Sequence, residues 1–124
     1  MRIDFYSLWD GPFQQTLIHN SSVIIGCGDM VCLINLFSRR VKTIGCDSYF
    51  GHLYPLNNYL LITSATELIC LDQNDVELWR SGNLGIDGVI VVDVSNSVIH
   101  GQGEWDPPGG WKPFKLNATT GKPI

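Results

Sequence analysis

With 124 residues, 44% of them hydrophobic and 16% charged, the chain carries enough apolar side chain for one cored domain and too much for a disordered one. A net charge of −4 gives it no overall attraction to nucleic acid or an acidic membrane, and no apolar run reaches membrane-spanning length. The opening Met1-Arg2-Ile3-Asp4-Phe5 lacks the apolar run of a signal peptide, so a cytoplasmic setting is expected, with Cys27, Cys32, Cys46 and Cys70 as reduced thiols.

The first element in chain order is Phe5-Tyr6-Ser7-Leu8-Trp9, an aromatic stretch before Asp10-Gly11-Pro12, expected as a strand that pairs elsewhere to close the structure. After it, nearly every apolar run is short, β-branched or aromatic, and bounded by Gly, Asn, Asp or Ser, the pattern of strand and turn. Strands are expected at Thr16 to His19, Val23 to Cys27, Met30 to Asn35 and Arg40 to Ile44, with Gly28-Asp29 as a tight turn. A second group runs His52 to Leu56, Tyr59 to Thr63, Glu67 to Leu71 and Val76 to Trp79. The third offers Val89 to Val94, Val98 to Gly101, Lys112 to Leu116 and a short Lys122-Pro123-Ile124. Tyr59 to Ile62 and Val89 to Val92 are apolar on both faces, so each is expected to be covered on both sides. No segment carries a helical period.

These groups are copies of one another. Asn20-Ser21-Ser22-Val23-Ile24-Ile25 aligns with Asn57-Asn58-Tyr59-Leu60-Leu61-Ile62 at an offset of 37, and then with Ser95-Asn96-Ser97-Val98-Ile99-His100 at 38. A second landmark follows in Val31-Cys32-Leu33-Ile34-Asn35, Ile69-Cys70-Leu71-Asp72 and Phe114-Lys115-Leu116-Asn117. The last interval is longer because Gly103 to Trp111 is inserted, a long turn in which Pro107, Pro108, Gly109 and Gly110 are expected to stop any ladder. Units of this length cannot bury their apolar faces alone and stack on their neighbours. The fold class is therefore all-β: a single domain over 1–124 of about three four-stranded antiparallel meanders at 16–44, 51–79 and 88–124, arranged as propeller-like blades, with a sandwich or barrel as the alternative.

Glu67-Leu68-Ile69-Cys70-Leu71-Asp72-Gln73-Asn74-Asp75-Val76-Glu77-Leu78-Trp79 resembles the blades of quinoprotein-like and WD40-like propellers: an apolar strand, an Asp, a polar turn and a strand ending in Trp. Phe114 to Ile124 has the same shape, with Asn117 at the Asp place, and Asn35 to Val41 is a looser copy. The resemblance implies a blade architecture. Closed propellers need about four or more blades, so three imply an open stack, pairing with a second copy, or a barrel-like closure. Quinoprotein cofactor chemistry does not carry over, because the acidic metal-binding constellation is missing from the sequence. No cofactor is expected. No metal is expected either, since the cysteines form no paired CxxC knuckles.

His19, His52 and His100 read as polar residues near sheet edges, and Gly26-Cys27-Gly28 precedes a strand where a phosphate loop would precede a helix. No Ser, Cys or Lys sits in an elbow-like Gly frame. Arg39, Arg40 and Lys42 read as a solvated turn and strand edge. Catalysis is not expected, although Asp87, Asp93, Glu104 and Asp106 leave a carbohydrate-active reading open. The inserted loop offers Trp105 and Trp111 beside Glu104 and Asp106, aromatic anchors within an acidic rim, the residue chemistry of a protein-binding hot spot. Its structural counterpart is two tryptophans folded back to cap the stack. Asp72, Asp75 and Glu77 add a second acidic surface.

The sequence reading is thus a non-catalytic protein that binds another protein, in its sharpest form an immunity protein or antitoxin masking a basic toxin domain. A self-assembling homodimeric propeller module and a sugar-binding or carbohydrate-active domain are the alternatives. Neither nucleic acid nor a membrane is an expected partner.

Overall fold

The computed structural model describes residue 2 and residues 11–124, so the expected aromatic strand at Phe5 to Trp9 lies outside the described residues. Among the described residues, eleven strands form three antiparallel sheets. Blade 1 is β1 (Gln14–His19), β2 (Ser22–Cys27), β3 (Met30–Asn35) and β4 (Val41–Gly45), paired in that order. Blade 2 is β5 (Phe50–Pro55), β6 (Tyr59–Ser64), β7 (Leu68–Asp72) and β8 (Glu77–Arg80). Blade 3 has three strands, β9 (Val89–Ser95), β10 (Val98–Glu104) and β11 (Trp111–Asn117).

The expected fourth strand of blade 3 is reduced to a single bridge, Leu116 to Pro123. Pro123 has no N–H to extend a ladder. Asn117 N–H donates to Lys122 O (2.8 Å) and Ile124 N–H to Lys115 O (3.1 Å) across the return. Those two bonds also set the parity of β11: its odd-numbered residues turn their backbone groups away from β10. Pro113 shares that parity and has no donor to leave unpaired, and Lys115 puts a charge there, so the edge is blunted.

The inserted loop is shorter than the sequence implies. Pairing continues through Gly103 with Lys112 and Glu104 with Trp111, leaving residues 105–110 as the connection. The prolines and glycines sit beyond the last paired residues.

Each repeat landmark is a turn closed by its own Asx side chain. Asn35 Oδ1 accepts from Phe37 N–H (2.9 Å) and Ser38 N–H (2.8 Å). Asp72 Oδ1 accepts from Asn74 N–H (2.8 Å) and Val76 N–H (3.0 Å), and Asn117 Oδ1 from Thr119 N–H (2.8 Å) and Thr120 N–H (3.2 Å). Each turn leaves through a left-handed residue: Arg39 (φ 60°), Asp75 (φ 63°) and Gly121 (φ 71°).

The hairpin turns revise the third copy's alignment by one residue. Asn20-Ser21 turns between His19 and Ser22, Asn57-Asn58 between Leu56 and Tyr59, and Asn96-Ser97 between Ser95 and Val98. Val23, Leu60 and Ile99 are therefore equivalent, and the second offset is 39 in place of 38. Side chains alternate with period two, so this slip decides which residues face which neighbour.

The core lies between the sheets. Ile24, Leu33 and Ile44 of blade 1 meet Leu53, Leu60, Ile62, Ile69 and Leu71 of blade 2. Leu61, Leu68, Cys70 and Trp79 from the other face of blade 2 meet Val89, Ile99 and Leu116 of blade 3. Strand β6 is thus covered on both faces, as its sequence requires. Strand β9 is not: a bulge opposite His100 and Gly101 turns Val92 outward, where it is 65% exposed.

Polar ties join each blade to the next. Leu53 N–H donates to Gln15 Oε1 (2.9 Å), and His19 Nε2–H donates to Leu56 O (2.5 Å), linking β1 to β5. Lys42 Nζ donates to Asp75 O (2.6 Å), and Trp79 Nε1–H donates to Ala118 O (3.1 Å). Lys42 and Trp79 are equivalent in register, paired with Leu33 and Cys70 respectively, and each reaches the turn of the following blade.

Candidate functional site

The first strands of successive blades lie nearest one another, and the segments that enter them converge. Phe13 precedes β1, Tyr49 precedes β5, and Asp87-Gly88 precede β9. They line a cleft of about 410 Å³ with Pro12, Gly51, His52, Ser64, Val89, Ile90, Glu104 and Trp111. The Phe13 ring lies 4.9 Å from the His52 ring and 6.4 Å from the Tyr49 ring, centre to centre. Trp111, 46% exposed, extends its indole over Gly88, where an added Cβ would meet the ring at 3.0 Å.

The backbone under the carboxylates is pinned. Ile86 N–H donates to Glu104 O (2.7 Å), Glu104 N–H to Gly88 O (2.8 Å), and Gly88 N–H to Ala65 O (2.8 Å). The Tyr49 hydroxyl lies 2.6 Å from Asp87 Oδ1 and 2.7 Å from Asp87 O, so its single proton holds Asp87 in the cleft. Burial, and then the Asp87 carboxylate, push the Tyr49 phenol up to about 12. The Glu104 carboxyl is held above its ordinary value by lost solvation, then by a hydrogen bond with Asp106 and by the charges of Asp106 and Asp87. Asp87 on the β8–β9 linker and Asp106 in the β10–β11 hairpin thus both act on Glu104. Among the described residues, none lining the cleft is Lys or Arg.

The structure brings Glu104, Asp106 and Trp111 together and sends Trp105 elsewhere. Glu104 and Trp111 are the last cross-strand pair, so their side chains share a face, and Trp105, one residue on, falls outside it. It lines a separate depression with Asn83, Leu84, Lys112, Pro113 and Phe114. Asp106 also accepts from Gly110 N–H (2.7 Å), closing the hairpin. The second acidic group is engaged in the framework. Asp72 closes its own turn, Asp75 Oδ2 accepts from Ser22 Oγ–H (2.6 Å) across the blade boundary, and Glu77 pairs with Arg80 (3.0 Å). His19 ties blades, and His100 sits opposite Asp93 and Lys115 on the far face of blade 3.

No motif in the sequence marks Phe13, Tyr49 or His52 as a binding residue. The available signal was an aromatic side chain just before the first strand of two blades. Among the described residues, no group of three or more His, Cys, Asp or Glu side chains is placed to hold a metal ion. All four cysteines are free, and Cys27, Cys32 and Cys70 are buried within the sheets.

The arrangement is that of an all-β protein with three antiparallel sheets in a propeller-like array. Among solved structures the chain is similar to the N-terminal domain of Nup159, with a TM-score of 0.52 and 18% identity. The match covers 83% of this chain but 27% of that one, so the chain spans about a quarter of the length of the domain it resembles. No protein-family model matches the chain, and no curated protein matches it.

Proposed function

We propose that the chain is a non-catalytic binding protein whose working surface is the cleft where the three blade entries meet. The observation that carries this reading is the convergence of Asp87, Glu104 and Trp111 with the Phe13 and Tyr49 rings at a pinned, open edge. Aromatic anchors amid carboxylates, in a chain of net charge −4, fit a basic protein surface, with long-range attraction speeding encounter and the rings holding the complex. In its specific form the partner is the basic domain of a toxin, which the chain masks as an immunity protein or antitoxin in the cytosol. The quinoprotein-like or WD40-like kinship of the blades rests on their turn motif alone.

Affinity purification from the source cells, with wild type and Trp111→Ala and Glu104→Gln variants side by side, tests this. The expected outcome is a captured basic protein that elutes with rising salt and is lost from both variants. Equal capture by all three proteins would move the working surface away from the cleft.

A second reading has one observation in its favour: a raised carboxyl, Glu104, stands near a tyrosine-held carboxylate, Asp87, beside the exposed indole of Trp111. That set also suits a sugar ring. It predicts oligosaccharide binding, and any turnover would be lost in Glu104→Gln. A ring closed by two copies stacked head to tail fits less well. It would set Asp93, His100 and Lys115 on the far face of blade 3 against the apolar Val23, Ile25, Cys32 and Ile34 of blade 1.

A further inference from the structure

We infer that the cleft is a receptor for a single cationic side chain, a lysine ammonium or arginine guanidinium, presented by the partner and enclosed between the Phe13, Tyr49 and Trp111 rings and the Asp87 and Glu104 carboxylates. This rests on the proposed binding role and names the chemistry that the site recognises.

Three observations converge on it. The cavity, about 410 Å³, has room for an extended basic side chain with its apolar stem along Val89 and Ile90. Aromatic faces attract a cation through the ring quadrupole, most strongly where water is partly excluded. The cleft brings such rings together with carboxylates, while the described lining residues include His52 but no Lys or Arg to compensate them. By contrast, Glu67 and Glu77 both lie 3.0 Å from the Arg80 guanidinium. Glu104 is also crowded by Asp106 and Asp87. An entering cation relieves that repulsion, which a neutral ligand cannot do.

The experiment titrates capped single residues into the whole chain and follows the tryptophan indole N–H signals by NMR, with the Trp111 signal assigned by Trp111→Phe. The probes are acetyl-lysine methylamide, acetyl-arginine methylamide and the uncharged acetyl-norleucine methylamide. The cationic probes are expected to shift the Trp111 signal with a roughly millimolar dissociation constant, and the norleucine probe to leave it unmoved. Glu104→Gln should weaken cation binding about three- to ten-fold while the buried Trp79 signal stays in place as evidence of an intact fold. Equal shifts from the norleucine probe, unchanged affinity in Glu104→Gln, or a preference for a neutral oligosaccharide would each overturn the inference. The probes need no protein partner, so the outcomes separate. A cleft that binds cations while purification captures no basic protein would sink the masking role and leave the receptor standing. Silent probes beside a partner lost from Trp111→Ala would do the reverse.

Discussion

At the scale of single residues, the most informative group outside the cleft is Arg80. Its guanidinium lies 3.0 Å from Glu67 Oε1 and donates to Gly45 O (2.9 Å), tying the end of blade 1 to blade 2. Glu67 is 7% exposed, and its carboxyl is held above the ordinary 4.5, first by burial and then by Asp47, with Arg80 opposing. A carboxyl whose folded value exceeds its unfolded one makes the fold less stable as pH rises through that range, because the native state holds the proton longer. Wild type should therefore gain stability relative to Glu67→Gln as pH falls from 7 towards 4.5, read as urea midpoints at a series of pH values. Parallel curves for the two proteins would mean that Glu67 titrates alike in both states. None of this was legible in the sequence, where Glu67 opens a strand and Arg80 follows one; their meeting depends on the register of β7 against β8.

The unit of construction at the scale of elements is the Asx-closed turn. Asp72→Ala removes the acceptor of two backbone N–H groups and should lower stability by about 1–2 kcal/mol; Asn35→Ala, on the same pattern, should cost a similar amount. Gly121→Ala should be worse than either. Its φ of 71° strains any L side chain, and the new Cβ would meet the Trp79 ring at 2.2 Å. Chemical denaturation of the three variants checks the order, and a Gly121→Ala midpoint above that of Asp72→Ala would contradict the packing of Trp79 on this turn. These turns were readable in advance, because Asn35, Asp72 and Asn117 each follow an apolar strand and lead into polar residues. The equivalence of Lys42 with Trp79 was hidden, because a cation and an indole look unrelated until both are seen reaching the next blade.

For the molecule as a whole, the two ends of the stack differ. The face that blade 3 turns away from blade 2 carries Asp93, His100 and Lys115, where blade 2 has Tyr54, Leu61 and Cys70 and blade 1 has Leu17, Ile24 and Leu33. Polar and charged residues at stacking positions act as a stop against packing of an apolar sheet on that face, as polar caps do in solenoids. Replacing His100 and Lys115 together by Leu should remove that stop and give association that grows with concentration, measured by light scattering. A double variant that scatters like wild type would show that these two residues do not limit stacking.

Much of the architecture was written in the sequence by itself: an all-β chain, three copies, the polar turns after the strands, and most strand positions to within a residue or two, although β10 runs three residues past Gly101 and Lys122 to Ile124 forms only a bridge. These depend on side-chain alternation and on backbone groups satisfied within a few residues, both local properties. Tertiary structure alone decided the one-residue shift of the third copy, the separation of Trp105 from Trp111, and the gathering of Phe13, Tyr49, Asp87 and Glu104 into one cleft. Strand parity turns a single residue of register into a change of face. The gathering follows from how apolar faces pack between blades, which brings together residues that are distant along the chain.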